Sequence, residues 1–249
     1  MSISSGRDAA LAGLRRQMAV MSGRPDTPAV ALADRSSDAI PVPEPLSEML
    51  PHKGLARGTV TRLSGVNSVL IAVIATVTQN GGQVGIVGLP RLGLLSAAQM
   101  GADLSRIATV PSPGTDPVEV AAVLLDGMDL VVLGTRGVDV APSRSRVVMG
   151  RARKQSSALL VVGGTWPGAQ TTIDTEVLTY RHLPAGDDLR EARSGFGRIG
   201  GMRLRITVSG RSQRAETSEA DLLVPGPGPV RPVTLVRAGQ ARPQLAVAN

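Results

Sequence analysis

The sequence reads as an α/β protein: a mostly parallel sheet flanked by helices, with an antiparallel extension in its C-terminal third. Three observations lead there. Short apolar runs such as "VGIV", "LVVL" and "LLVV" recur through the middle of the chain with no polar alternation, as strands buried on both faces do. Segments with helical spacing separate them, which calls for parallel strands joined by crossovers. After residue 170 the strand-like runs follow one another without helices, as in a meander.

In chain order, Arg7 to Met21 forms an amphipathic helix, with Ala10, Leu11, Leu14, Met18 and Met21 on one stripe and Gly23 and Pro25 stopping it. A helix this short needs a surface to cover its stripe. Residues 24–45 are rich in proline and mixed charge and read as a linker. A strand at Thr59–Leu63 leads into a helix over Val69–Thr78, then a strand at Val84–Val87 and a helix over Leu92–Met100. A strand at Ile107–Val110, a helix over Pro117–Leu125 and a strand at Leu130–Leu133 follow. Next come a helix over Ser143–Gln155 and a strand at Leu159–Val162. Strands at Glu176–Tyr180, Met202–Val208 and Asp221–Val224 make the antiparallel part. The domain spans 46–224, and residues 225–249, rich in proline and glycine, read as a flexible tail.

Composition narrows the chemistry. Hydrophobic residues are 42% of the chain, but Phe, Tyr and Trp occur once each, so the core is aliphatic. Scarce aromatics argue against a reader of single-stranded bases, which stacks them on aromatic platforms. There is no cysteine, and His52 and His182 stand far apart without a metal-ligand pattern. The expectation is no cofactor and no metal. No run approaches the ~18 apolar residues of a membrane span, so a cytoplasmic protein without membrane contact is expected. The formal net charge is +7, carried almost wholly by arginine, which favours acidic partners.

The stretch "LSGVNSVLIAV" has the strand–turn–helix layout of a phosphate loop. In G-x-x-x-x-G-K-[ST] the glycines let backbone N–H groups wrap phosphate, the lysine neutralises charge and the hydroxyl ligates magnesium. Counting from Gly65, those three positions hold Leu70, Ile71 and Ala72, while Asn67 and Ser68 still suit a tight turn. The acidic residue that should close the strand "MDLVVLGT" is replaced by Gly134, and Asp129 stands at the wrong end of that strand. The end of "VGIVGLP" offers Gly88, Leu89 and Pro90 where a general base would sit. The expectation is no enzyme activity, with catalytic residues absent.

The lead-in "GLARGTVTRLSG" and the order of elements from Gly81 to Thr135, with "MGADLSRI" in the place of an LG-x-D motif, resemble the RecA core. Within that superfamily the chain most resembles the ImuA group, particularly its actinobacterial form. The resemblance implies a non-catalytic accessory or scaffold protein of a DNA-damage-induced translesion synthesis complex. It implies ImuB, an inactive Y-family polymerase homologue, as principal partner through residues 180–249. A DnaE-type error-prone polymerase and the sliding clamp would be indirect partners. In RecA-type proteins an N-terminal helix packs on a neighbouring core, which gives Ala10, Leu14, Met18 and Met21 a role in self- or hetero-association. Two alternatives stay open: a DNA-binding, recombinase-like filament protein and a SulA-like cell-division inhibitor.

Arg190, Arg193, Arg198, Arg203 and Arg205 form the densest basic stretch, suited to phosphate or an acidic partner, although Asp187, Asp188 and Glu191 interrupt it. "GFGRIG" matches a dinucleotide fingerprint in letters but lacks the strand before and the helix after it, and reads as a loop. Trp166, in "GGTWPGA", follows a strand end and suits either a ligand loop or a core anchor. No G-x-S-x-G elbow accompanies the serines.

Overall fold

The computed structural model describes residues 39–183, 198–211, 213–224 and 232–239. The ordered elements are β1 (Ala39–Pro41), α1 (Glu44–Ser47), β2 (Gly54–Ala56), β3 (Val60–Ser64) and α2 (Asn67–Gln79). They continue as β4 (Val84–Val87), α3 (Leu94–Gln99), a 3₁₀ turn at Leu104–Arg106, β5 (Ile107–Val110), α4 (Pro117–Leu124), β6 (Leu130–Gly134), α5 (Pro142–Gln155) and β7 (Ala158–Val162). Long strands β8 (Thr171–Leu183), β9 (Arg198–Gly210) and β10 (Glu216–Leu223) follow, and β11 (Thr234–Arg237) comes last.

The main sheet has the order β11-β10-β9-β8-β3-β7-β6-β4-β5. From β8 to β5 every pairing is parallel, and from β8 to β11 every pairing is antiparallel. Strand β8 joins the two halves, parallel to β3 on one side and antiparallel to β9 on the other.

Every residue of β4 and β6 is buried, which is why these runs carry no polar alternation. One face of the sheet packs under α2, α1 and the β1–β2 hairpin through Leu63, Ile86, Leu130, Val132, Leu160, Ile173, Leu204 and Ile206. The opposite face packs under α4 and α5 through Val60, Val131, Leu133, Leu159 and Val161. A smaller cluster joins Ile71, Ala72 and Ala75 of α2 to Ala97, Met100 and Leu222.

Two boundaries differ from expectation. Ile40 and Val42, inside the presumed linker 24–45, are buried, because β1 pairs with β2 and closes over the α2 face. Thr234–Arg237, inside the presumed tail, pairs with β10, and the Val233 amide donates to the Gln99 carbonyl at 2.8 Å. Leu235 joins the core side while Thr234 stays exposed, and the four-residue strand forms by pairing with β10 despite the prolines and glycines around it. The helix Arg7–Met21 lies outside the described residues.

Candidate functional site

Because β3 to β8 run parallel, their C-terminal ends share one edge, where open α/β sheets bind ligands. That edge is built from the turn after β3 and from the loops after β4, β6 and β7.

The turn after β3 is locked onto β8. Gly65 has φ +96°, and any Cβ there would overlap the Thr175 carbonyl oxygen. The Thr175 hydroxyl donates to the Ser64 carbonyl at 2.8 Å and accepts from the Val66 amide at 2.7 Å. The amide that would open a phosphate cradle is therefore committed to a side chain of the same sheet. Asn67 and Ser68 open α2, with no side-chain cap at Val66, and the Ser68 hydroxyl lies 4.0 Å from the Met202 sulfur.

The positions of the absent chemistry are core positions. Leu70 is fully buried in the main cluster, and Ile71 and Ala72 are buried against Ala97, Met100 and Leu222. Residues on all sides of α2 are buried, from Val69 through Ala75 and again at Val77 and Thr78. A helix apolar all round is an interior helix. An ammonium at position 71 would be desolvated without a partner.

The neighbouring strand ends are filled in the same way. Leu89 lies over Gly134, where its side chain occupies the space a Cβ at 134 would take. Gly88, with φ +72°, leaves room for the Gly134 carbonyl to approach its backbone. The Thr135 hydroxyl donates to the Gly163 carbonyl at 2.6 Å, and Thr165 donates to Asp139 through its amide at 3.1 Å and its hydroxyl at 2.7 Å. These bonds hold the Asp139 carboxyl below the usual carboxylate range. Trp166 is buried among Val148, Met149 and Val161, as a core anchor, and its indole N–H has no partner among the described residues. Contacts within the chain thus occupy several of the groups at this edge.

Asp129 lies at the opposite edge, where it accepts from Arg57 at 3.0 Å and from the Gln83 amide at 2.9 Å. Its work there is to tie the start of β6 to the start of β4. His52 is exposed in the turn before β2. Among the described residues no group of three or more His, Cys, Asp or Glu could hold a metal, and no helix is long and apolar enough to cross a membrane.

The basic residues separate. Arg203 and Arg205 share the face of β9 opposite the buried Leu204 and Ile206, as the period of two requires. Their heads are engaged: Arg205 pairs with Glu176, and Arg203 donates to buried Asp221 through Nε at 3.0 Å and Nη2 at 3.3 Å. These bonds raise the Arg203 pKa above its ordinary value, the hydrogen bond to Asp221 being the main cause. Arg198 opens β9, and its "GFGRIG" context runs into a strand, not a helix. Arg190 and Arg193 lie outside the described residues, as do Ala10, Leu14, Met18 and Met21.

Sequence reasoning missed Arg181 and Asp221 as members of this face. Arg181 also donates to Asp221, at 2.9 Å. The available signal was the acid in "SEADLLV": in a strand beside "MRLRITV", an aspartate between core residues Ala220 and Leu222 must face the arginine side.

Residues 48–168 match the family described as MT3502 N-terminal domain, a stretch that runs from the end of α1 region through the parallel strands to the loop holding Trp166. The uncharacterized protein Rv3395c of Mycobacterium tuberculosis is 48% identical over 202 residues, covering 81% of this chain and 92% of that protein. The chain belongs to the family of Rv3395c. The family match covers β3 to β7 and the loops after them, while β8 to β11 lie beyond residue 168 and include Thr175 and the Arg–Asp face.

Proposed function

We propose that this chain is a RecA-like, ImuA-type accessory protein that acts as a non-catalytic scaffold in DNA-damage-induced translesion synthesis. The observation that carries the non-catalytic part is the burial of Leu70, Ile71 and Ala72 where phosphate chemistry needs glycine, lysine and a hydroxyl. The RecA-like part draws support from the chain order of strand, glycine turn, apolar helix and four further parallel strands, and from the central place of β3 between β7 and β8. In this reading the sheet holds shape while surfaces outside the filled edge bind ImuB, and through it a DnaE-type polymerase and the sliding clamp.

Two measurements test it. Calorimetry with ATP and Mg²⁺ should give no heat of binding, and a saturable signal would overturn the non-catalytic assignment. Co-expression with ImuB should yield a complex that survives gel filtration, whereas retention of the tubulin-like division protein instead would move the chain to the SulA-like class. Deletions should remove residues 1–38 or 240–249, because a cut at 225 would take β11 out of the sheet.

A further inference from the structure

The outer face of the antiparallel strands is charged, but its charges are not evenly matched. Glu176 and Glu219 both lie opposite Arg205 in register, giving a row with two carboxylates for one guanidinium. Two residues along β9, about 7 Å away, the balance reverses. Asp221 lies opposite Arg203 and takes hydrogen bonds from both Arg203 and Arg181, so two guanidiniums share one carboxylate.

That carboxylate is fully buried, while the arginine side chains keep 38% and 33% of their surface exposed. Each guanidinium has five N–H donors. Among the described residues, three hydrogen bonds to Asp221 are those the two heads make. Further donors are left at the surface, and the pair carries one positive charge more than the carboxylate it shares, with Glu219 of the neighbouring row also acting on Arg203. Leu223 and Val236, half-buried, share the same side of β10 and β11 with Asp221 and give the cationic pair an apolar border.

We propose that Arg181 and Arg203, held together by buried Asp221, form a docking point for a carboxylate side chain on an acidic, partly apolar peptide segment of a partner protein. Asp221 fixes the two forks, so little side-chain entropy is lost when a second carboxylate arrives. A bidentate carboxylate would complete the charge balance, and an adjacent aliphatic side chain would cover Leu223 and Val236. A nucleic-acid strand fits poorly, because its phosphates would continue from the cationic row onto Glu176 and Glu219. This inference stands independently of the translesion reading and rests on strands β8 to β11 alone.

An array of eight-residue peptides combining Asp or Glu with Leu or Ile, probed with the full chain, tests it. Binding should concentrate on peptides that carry both types. In solution, fluorescence anisotropy of the best peptide should weaken about tenfold or more for Arg181→Gln, the loss of a charge-assisted hydrogen bond. Arg205→Gln should leave affinity unchanged or raise it. Arg181→Gln retains the Arg203–Asp221 pair, and an unchanged melting temperature would separate lost docking from lost folding. No saturable peptide binding, or equal binding by the Arg181→Gln protein, overturns the proposal. Tighter binding of a labelled single-stranded oligonucleotide, lost in the same variant, would also overturn it.

Discussion

The parallel half of the sheet and its antiparallel wing treat their functional-looking residues in opposite ways. At the parallel edge, several positions are taken up by the chain itself: Leu89 over Gly134, Thr175 on the Gly65 turn, Ile71 under α3. On the wing, charged residues crowd an open face, and one acid is buried to hold two arginines. Open, unevenly charged faces cost some stability and can recognise something.

The largest effect that would break this contrast comes from restoring the missing chemistry. Ile71→Lys should destabilise the protein by about 3 kcal/mol or more, since an ammonium would replace a buried aliphatic chain with no carboxylate beside it. Urea unfolding measures this, and a stable variant that bound ATP would show that the edge is not sealed. Leu70→Ala should cost about 2–5 kcal/mol through the cavity it leaves. On the wing, Asp221→Asn should cost about 1–3 kcal/mol, less than a fully buried pair because water reaches both arginines. The same unfolding curve reports it, and a cost equal to that of Ile71→Lys would mean the triad serves folding alone.

Trp166→Phe should change stability by less than about 1 kcal/mol, because the lost contact area is offset by removing an unpartnered buried N–H. A larger loss in thermal melts would point to a hydrogen bond to the indole. The smallest effect concerns acid. Asp116 and Asp126 are held below the ordinary carboxylate value, Asp116 first by the Glu119 amide it caps and Asp126 first by Arg151. Their stabilisation is therefore present above the unfolded-state value and is lost as pH falls through the lower folded values. Melting temperatures should hold from neutral pH down to the carboxylate range and decline from there through the lower folded values, and Asp126→Asn should flatten that decline slightly.

Most of the parallel half was legible in the sequence, since strands buried on both faces and helices between them leave an unambiguous pattern of apolar runs. The expected span Val84–Val87 matches β4, and Ile107–Val110 matches β5. The burial of the start of α2 was legible as well, because residues 70, 71 and 72 are all apolar. The wing was read short: β8 and β9 run well past the expected Glu176–Tyr180 and Met202–Val208. A strand with one solvated face tolerates Thr, Arg and Gly at its ends, so composition does not mark where pairing stops. The same tolerance hid β1 and β11, whose short runs are defined by partners distant in sequence. The Arg181–Asp221–Arg203 arrangement joins three strands and could not appear in any local motif.

Strand β8 carries a last consequence. Thr175 sits in it and holds both the carbonyl before Gly65 and the amide after it, while the other edge of β8 carries the wing. The wing and the start of α2 therefore share one mechanical joint. Deuterium uptake at the Val66 amide should report events on the far face of β9, slowing when a ligand settles there and quickening in Thr175→Val, which removes the acceptor. A turn with the layout of a phosphate loop would then serve as a built-in gauge of the strands beside it.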